Sequence, residues 1–411
     1  MGTLLNILGV YARKILLYLQ KRLSIKLQTY ILFCMKLMFI YESMALWGGI
    51  ERIWTDRMNL LAKQYGADIL LITTNQGEHP YPYDLDSRIT VKDLKIQFHH
   101  AYKYRGVRRR REIRYRQELF ETRLKEEIDI FHPDIITGIA AHSYIPTIIK
   151  VKGDIPMIAE SHELALQYYR LSSNFIVQYF RLRNLRHALS KVEQIVSLTN
   201  EDAREWKNLN SNVTVIPNIV HLNNTGCLSD GNTQRVIFVG RLEQQKGLPL
   251  LLDIWKKVHQ RHPNWQLDIY GEGEMRKWLH QQIADDSNIH VYQPTGKVMD
   301  EYLSSALMVS TSVYEPFGLV IPEAMSCGLP VVAFDCPHGP RNIITSGEDG
   351  FLVSQGNCDE FADRVCYLIE HPEERIAMGK KAALSVQRFQ ASNIMPQWMA
   401  LYQKLINGSS L

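Results

Sequence analysis

The stretch EPFGLVIPE, residues 315–323, decides the fold of this chain. It follows an apolar run, residues 306–310, that is typical of a buried strand. Pro322 lacks a backbone N–H and therefore fits the first turn of a helix, so the sequence predicts a helix that begins near Leu319. A strand, a short loop and a helix in this order are the repeating unit of a parallel α/β sheet.

The same stretch carries a candidate anion site. The N–H groups of Gly318, Leu319 and Val320 would point out of the junction without partners inside the helix, which suits a phosphate. Glu315 precedes the helix and Glu323 lies about one turn inside it, so both carboxylates can face one crevice. The alternative is that these carboxylates only offset the helix dipole.

A second phosphate-type signal lies upstream, in VGRLEQQKG, residues 239–247. This loop follows the apolar strand 235–238 and precedes a helix that we predict from about Leu248 to His262. Arg241 offers a planar fork of donors and Lys246 a compact charge, a pair that suits a diphosphate. A solvated loop with incidental charge is the alternative, and the carboxylate pair in the same half of the chain counts against it.

Together, the Arg241…Lys246 loop and the Glu315…Glu323 segment resemble the retaining nucleotide-sugar glycosyltransferases of family 4, which have the GT-B fold. The resemblance covers about residue 35 to the end and is densest in the second half. It extends to three further stretches: VIPN at 215–218, GLPVVA at 328–333 and GEDGFLV at 347–353.

The resemblance implies a role for each matching residue. The implied catalytic residues are Glu315, His162, Arg241 and Lys246. The implied donor-binding residues are Gly49, Arg241, Lys246, Gly318, Leu319, Val320 and Glu323. Without the resemblance, a lone histidine such as His162 is as often a structural hydrogen-bonding residue as a site residue. His142, also at a strand end, is a second-rank candidate.

From Met35 onward, strands and helices alternate, which indicates parallel sheets with right-handed crossovers. The fold class is therefore α/β, and the resemblance makes it GT-B: two doubly wound Rossmann-like domains facing across a cleft. We predict an extension over 1–34, a first domain over 35–219, a linker over 220–234, a nucleotide-sugar domain over 235–390 and a helix over 391–411 that crosses back. The predicted strands are 36–41, 68–73, 134–138, 156–160, 194–198, 213–216, 235–239, 266–270, 289–292, 307–310, 331–334 and 350–353.

Length and composition fit two such domains, since the chain has 411 residues of which 45% are hydrophobic. The six cysteines show no CxxC pair and are expected to be free thiols. Residues 1–34 mix apolar residues with Lys and Arg and contain no uncharged run of about 20 residues that could span a membrane. We interpret Met35 as the true start, with a basic amphipathic anchor as the alternative.

Other enzyme classes fit less well. A dinucleotide-dependent oxidoreductase would need Gly-x-Gly-x-x-Gly, and the nearest match, from Gly271, has Arg276 at the third glycine position. A glycosidase could use two carboxylates but has no use for a diphosphate cradle. A non-catalytic nucleotide-sugar-binding protein of the same fold remains the alternative to an enzyme.

The expected partners are a nucleotide-sugar donor, with UDP favoured, and a glycan or lipid-linked glycan acceptor. UDP is favoured because DCPHGPR, residues 335–341, resembles family members that use UDP-hexoses or UDP-N-acetylhexosamines. No Asp-x-Asp metal motif stands beside the donor motifs, and two fixed cations can replace a metal, so no cofactor and no metal are expected.

Basic residues beside aromatic ones predict a cytoplasmic protein that binds peripherally to the inner face of the plasma membrane. The first cluster runs from Lys103 to Arg116 and includes Arg108–Arg111. The second interleaves Tyr168, Tyr169, Phe175, Tyr179 and Phe180 with Arg170, Arg181, Arg183 and Arg186. Such clusters suit an anionic lipid surface, a solvated basic helix being the alternative. No nucleic-acid motif accompanies the charge, so nucleic acid is not expected.

Overall fold

The computed structural model describes residues 35–140, 142–163, 175–284 and 286–408. Several sequence-based predictions fall outside these residues: the extension over 1–34, residues 409–411 of the last segment, and Tyr168, Tyr169 and Arg170 of the second basic cluster. The side chains of Phe175, Phe180 and Arg181 lie outside the description as well.

The first domain is built on a sheet of seven described strands in the order β3-β2-β1-β4-β5-β6-β7. The paired strands run parallel; Phe39 of β1, for example, is in register with Leu71 of β2 and Thr137 of β4. The middle residues of β1 are almost completely buried, as expected for a strand covered on both faces. The strands are β1 Lys36–Tyr41, β2 Asp68–Thr73, β3 Thr90–Asp93, β4 Ile135–Ile139, β5 Met157–Glu160, β6 Gln194–Ser197 and β7 Val213–Val215.

The second domain is built on a parallel sheet of six described strands in the order β10-β9-β8-β11-β12-β13. In both sheets the strand order reverses beside the first strand of the domain, β1 or β8. Open α/β sheets bind ligands at this switch point, beyond the carboxyl ends of the strands. The strands are β8 Arg235–Val239, β9 Gln266–Tyr270, β10 Ile289–Tyr292, β11 Leu307–Ser310, β12 Val331–Phe334 and β13 Gly350–Val353.

Helices connect the strands and cover the sheets. Those of the described residues are α1 Gly49–Tyr65, α2 Gly106–Phe131, α3 Ile145–Val151, α4 Phe175–Leu189, α5 Asn200–Trp206, α6 Leu248–Arg261, α7 Arg276–Gln282, α8 Val298–Leu303, α9 Val320–Ser326, α10 Cys358–Glu370, α11 Pro372–Ser385 and α12 Ala391–Gly408. None of them is long and apolar enough to cross a membrane.

Helix α6 illustrates how the sequence sets these elements. Proline stands in its first turn, where the missing N–H costs no hydrogen bond. Its apolar stripe, with Leu251, Ile254 and Val258 each at most 2% exposed, recurs every three to four residues and packs into the core of the second domain. Burying that stripe fixes the helix against the sheet and holds the loop before it at the carboxyl end of β8.

Internal contacts group the chain into two compact units. One contains the described residues up to Glu160, residues His187–Glu193 and the described residues from Tyr402 onward. The other contains the described residues of Ser161–Arg186 and of Gln194–Leu401.

Candidate active site

The loop between β8 and α6 is clamped against the segment that follows β11. The Thr311 hydroxyl donates to the Lys246 carbonyl at 2.9 Å, and the Val313 N–H donates to the Gln245 carbonyl at 2.8 Å. Gly247 has a φ of 63°, and a Cβ there would lie 2.1 Å from the Thr311 carbonyl oxygen. Only glycine fits at this position, so the close approach of the two segments is built into the sequence.

This approach brings Lys246 and Glu315 together. The Lys246 ammonium forms an ion pair with Glu315 Oε1, and the two side chains are only 12% and 7% exposed. The Ser312 hydroxyl donates to the same oxygen at 2.9 Å. Among the described residues, Glu315 Oε1 accepts both of these hydrogen bonds. Oε2 is therefore the oxygen that can accept a hydrogen bond from a ligand.

Arg241 occupies a different environment. Its side chain is 62% exposed and is held by local contacts, to Glu243 at 3.0 Å and to the Gln245 amide oxygen at 3.2 Å. The preceding Gly240 lies against the Lys246 stem, since a Cβ there would be 3.3 Å from Lys246 Cε. The two predicted cations therefore share one loop, with Lys246 buried against Glu315 and Arg241 at the surface.

The loop after β12 supports the backbone of Glu315. The Gly339 N–H donates to the Glu315 carbonyl at 2.8 Å, and a Cβ at Gly339 would lie 2.4 Å from the Phe317 carbonyl oxygen. His338 adopts a φ of 76° and is 3% exposed, with Nε2 3.5 Å from a Glu205 carboxylate oxygen. Burial lowers the pKa of His338 below its usual range, so the imidazole is neutral at pH 7.

The predicted helix after Glu315 is present as α9, with Leu319 immediately before it. Gly318 has a φ of 89°, which a residue with a side chain rarely adopts. Glu323 is 3% exposed, within the first turn. The Ile321 N–H donates to the Gly318 carbonyl at 3.0 Å and the Glu323 N–H to the Leu319 carbonyl at 3.2 Å. The predicted anion site consists of the amides that precede Ile321, those of Gly318, Leu319 and Val320.

Cys336 also lies close to this site. Burial raises the pKa of its thiol to about 12, and the nearby Glu315 carboxylate adds to the shift. The thiol therefore stays protonated at neutral pH and is a poor nucleophile. The five described cysteines are all free, which agrees with the prediction of free thiols.

In the first domain, Gly49 begins α1 and Gly48 caps it. A Cβ at Gly48 would lie 2.1 Å from Glu51 Oε2, so the Glu51 carboxylate packs directly against this turn. His162 follows β5 and is 9% exposed. The neighbouring Ser161 hydroxyl donates to Asp202 at 2.7 Å, which anchors the strand end that carries His162.

A pocket of about 700 Å³, which no sequence pattern predicted, lies beyond the carboxyl ends of β1 and β2. Glu42 lines it, and the neighbouring His142 imidazole lowers the pKa of the Glu42 carboxyl. His142 Nε2 lies 3.8 Å from Glu42 Oε2, which places the second-rank histidine beside this pocket. The sequence feature that could have indicated this pocket is the polar run that follows β1 and β2.

No group of three or more His, Cys, Asp or Glu side chains within the described ranges is arranged to hold a metal ion. The charged groups of the second-domain site are instead the Lys246–Glu315 pair, Arg241 and Glu323.

Comparison with known proteins identifies the family of the chain. Residues 227–385 match the family described as glycosyl transferases group 1, and residues 47–224 match glycosyltransferase family 4. An uncharacterized glycosyltransferase of Haemophilus influenzae is 27% identical over 86% of this chain and 96% of its own length. The amylovoran biosynthesis glycosyltransferase AmsD of Erwinia amylovora is 26% identical over 88% of this chain and 98% of its own.

Among solved structures, Anabaena HepE in complex with UDP superposes with a TM-score of 0.71 at 19% identity, covering 90% of this chain and 100% of its own. At that identity the likeness shows the fold alone, which is GT-B as the sequence predicted. With two parallel-sheet domains and both family matches, the chain belongs to the group 1 glycosyltransferases.

Proposed function

We propose that the chain transfers a hexose or N-acetylhexosamine from a UDP-sugar, with retention of anomeric configuration, to a glycan or lipid-linked glycan in bacterial surface-polysaccharide synthesis. The observation that carries the proposal is the buried Lys246–Glu315 pair at the carboxyl edge of the second sheet. In this pair the Lys246 ammonium, which can bind the diphosphate, lies beside Glu315, whose Oε2 can accept from a sugar hydroxyl.

In the reaction, the bond between the anomeric carbon and the diphosphate oxygen breaks, and a bond from that carbon to an acceptor oxygen forms. The acceptor hydroxyl proton passes to the leaving diphosphate. Lys246, Arg241 and the amides of Gly318–Val320 stabilise the charge that develops on the diphosphate. Because these groups are already in place, little reorganisation is needed when the bond breaks.

The remaining residues hold the donor. Glu315 accepts from the sugar hydroxyls and offsets positive charge on the sugar ring, while Glu323 accepts from the ribose hydroxyls. The Gly49 amide contacts the diphosphate and His162 lies near the reacting carbon, both as the family resemblance implies.

The relatives support the donor and the pathway by analogy. AmsD is named for amylovoran biosynthesis, and the HepE structure contains UDP. A screen of nucleotide sugars that measures nucleotide release tests the assignment, with the Glu315→Gln variant as the inactive control. Release from UDP-sugars supports it, and GDP-mannose as the sole donor overturns the choice of UDP. Binding of UDP-sugars without release identifies a binding protein instead.

We also propose that transfer needs no divalent metal, because Lys246 and Arg241 supply fixed positive charge where a metal would otherwise act. The test is the transfer rate of metal-stripped protein in excess chelator. Full activity supports the proposal, and a loss that magnesium or manganese restores overturns it.

Peripheral association with an anionic membrane is a further part of the proposal. On α2, Arg108, Arg109 and Arg111 are exposed, and Arg109 lies 4.9 Å from the ring of Tyr102, which is 68% exposed. Each such cation near an anionic surface contributes about 1 kcal/mol. Arg116 does not belong to this surface, since its guanidinium bonds Glu112 at 2.7 Å and the Ile96 carbonyl.

Flotation with anionic liposomes at low and high salt tests the membrane proposal. The protein should float at low salt and dissociate as salt screens the charge. Changing Arg108, Arg109 and Arg111 to glutamine should abolish flotation, whereas the same change at Lys380 and Lys381, exposed on α11, should not. Absence of binding at low salt would contradict the proposal.

A further inference from the structure

Helix α5 is anchored by a buried carboxylate, Asp202, which is 3% exposed. Three neighbouring side chains donate hydrogen bonds to it: the Ser161 hydroxyl at 2.7 Å, the Ser197 hydroxyl at 2.7 Å and the Trp206 indole N–H at 3.0 Å. The Asp202 N–H donates to the Thr199 hydroxyl at 3.2 Å, which caps the start of the helix. A buried polar network with its hydrogen bonds made is rigid, so these bonds fix the position of α5.

Two further carboxylates of α5, those of Glu201 and Glu205, lie one turn apart and contact the loop after β12. The Asn342 amide nitrogen donates to Glu201 at 2.8 Å, and a Glu205 oxygen lies 3.5 Å from His338 Nε2. Helix α5 and this loop belong to the same compact unit. The two carboxylates are 28% and 25% exposed. Because polar contacts of this kind contribute little to the stability of a whole domain, their effect should be local.

The loop has strained backbone where α5 contacts it. His338 has a φ of 76°, and a residue other than glycine keeps such a backbone only where the surrounding structure holds it. Asn342 connects this residue to the helix, since its amide nitrogen donates to the His338 carbonyl as well as to Glu201. Loss of the contacts with α5 would therefore allow the turn at His338 to relax.

The strained turn packs directly against the backbone of Glu315. The Gly339 N–H donates to the Glu315 carbonyl at 2.8 Å, and the Glu315 N–H donates to the Pro337 carbonyl at 3.4 Å. A Cβ at Gly339 would lie 2.8 Å from Glu315 Cβ, so no space separates the two chain segments. With backbone hydrogen bonds on both sides of His338, a shift of this turn moves Glu315.

We propose that Glu201 and Glu205 are positioning residues for sugar transfer: they hold the turn at His338, and this turn holds the Glu315 carboxylate where the donor sugar binds. The inference rests on the proposed function, which it deepens by adding two residues that act through Glu315. Because α5 is also bonded to the strand end that carries His162, one helix fixes both of these candidate catalytic residues.

The test is a double variant, Glu201→Ala with Glu205→Ala. Nucleotide release from UDP-glucose and UDP-N-acetylglucosamine, with octyl glucoside as acceptor, measures kcat. We expect kcat to fall at least about tenfold, since a small displacement of a catalytic group is costly. The Kd for UDP, measured by calorimetry, should stay within about threefold of wild type, because Glu315 contacts the sugar. Backbone amides of residues 337–342 should exchange with deuterium at least about threefold faster than in wild type.

A conservative pair of changes should restore all three quantities. Glu201→Gln with Glu205→Gln keeps an oxygen that can accept from Asn342 and from the neutral His338 ring, so this variant should lie near wild type at pH 7.5. The matched control is Glu118→Ala with Glu126→Ala, which removes two exposed carboxylates of α2 and should change none of the three.

A folded alanine variant with kcat within threefold of wild type would overturn the inference, and so would a loss of kcat that the glutamine variant does not restore. An equal loss of UDP affinity would also overturn it, since α5 would then support the whole domain. If the alanine variant does not fold, Asn342→Ala, which leaves α5 intact, should show the same loss of kcat, and wild-type kcat in it contradicts the inference.

Deuterium exchange separates this inference from the proposed function, because it needs no donor. If the wild-type protein releases no nucleotide from either UDP-sugar, the proposed function fails. Faster exchange in the alanine variant, restored in the glutamine variant, would then still show that α5 holds the turn against Glu315. Unchanged exchange in the alanine variant would refute the positioning role whether or not the wild-type protein is active.

Discussion

Replacing Lys246 with methionine keeps most of the apolar stem but removes the cation. Glu315, 7% exposed, would then keep only the Ser312 hydroxyl as a partner on Oε1. Leaving a buried carboxylate without its cation should lower the free energy of unfolding of the second domain by about 1–3 kcal/mol. This loss is smaller than the loss expected on breaking a fully buried ion pair, because the Lys246 side chain is 12% exposed. The same change removes a charge from the leaving diphosphate, which should cost about 2–4 kcal/mol, or roughly 30- to 1000-fold in kcat.

A second variant should separate the loss of stability from the loss of kcat. Lys246→Met combined with Glu315→Gln removes both charges, so the free energy of unfolding should return most of the way while kcat stays low. Urea unfolding measures the first quantity and nucleotide release under saturating donor measures the second. Lys256→Met, which changes an exposed lysine on α6, is the matched control and should be near wild type in both. A folded Lys246→Met protein with kcat within threefold of wild type would refute the role of this cation.

Three further outcomes are expected. Burial lowers the pKa of His338 in the folded protein. The neutral imidazole therefore contributes its full stability above the pKa of the unfolded state, about 6.5, and this contribution is lost as pH falls through the lower pKa of the folded state. His338→Asn, which tolerates the positive φ, should flatten the fall in Tm between about pH 7 and 5, and an unchanged fall would contradict this. Iodoacetamide at neutral pH should label the exposed Cys227 quickly and spare Cys327 and Cys336, because burial raises the pKa of both thiols to about 12. Mass spectrometry detects the label, and fast labelling of Cys336 would contradict its burial. Arg241→Ala should lower kcat by roughly 30-fold or more with no loss of stability, because the side chain is exposed; a destabilised variant would contradict the geometry.

The buried strands could be predicted because their apolar runs are continuous. All twelve predicted strands are present within one residue at each end. Among the strands that the structure describes, the prediction missed β3, Thr90–Asp93, which lies at the edge of the first sheet and is half-exposed. Its sequence TVKD has no apolar run, because an edge strand with polar side chains buries too little to leave a pattern.

The sequence proposes the residues of the candidate site but does not predict the contacts between them. The sequence assigned Lys246 to a phosphate and Glu315 to a sugar, and the structure pairs them with each other across 69 positions of chain. That pairing depends on the fit of Gly247 against Thr311, which no local pattern reveals. The left-handed backbone of His338 was equally hidden, since histidine rarely adopts it without tertiary support.

The most direct test of the central claim follows a UDP-hexose and an octyl glycoside acceptor by proton NMR with the wild-type protein. The proposed reaction predicts release of UDP at the rate of product formation, and an anomeric coupling in the product that matches the α-configured donor. The Lys246→Met/Glu315→Gln variant should release no UDP on the same time scale. Product of inverted configuration would contradict retention, and transfer at the wild-type rate by the double variant would contradict the assignment of the active site.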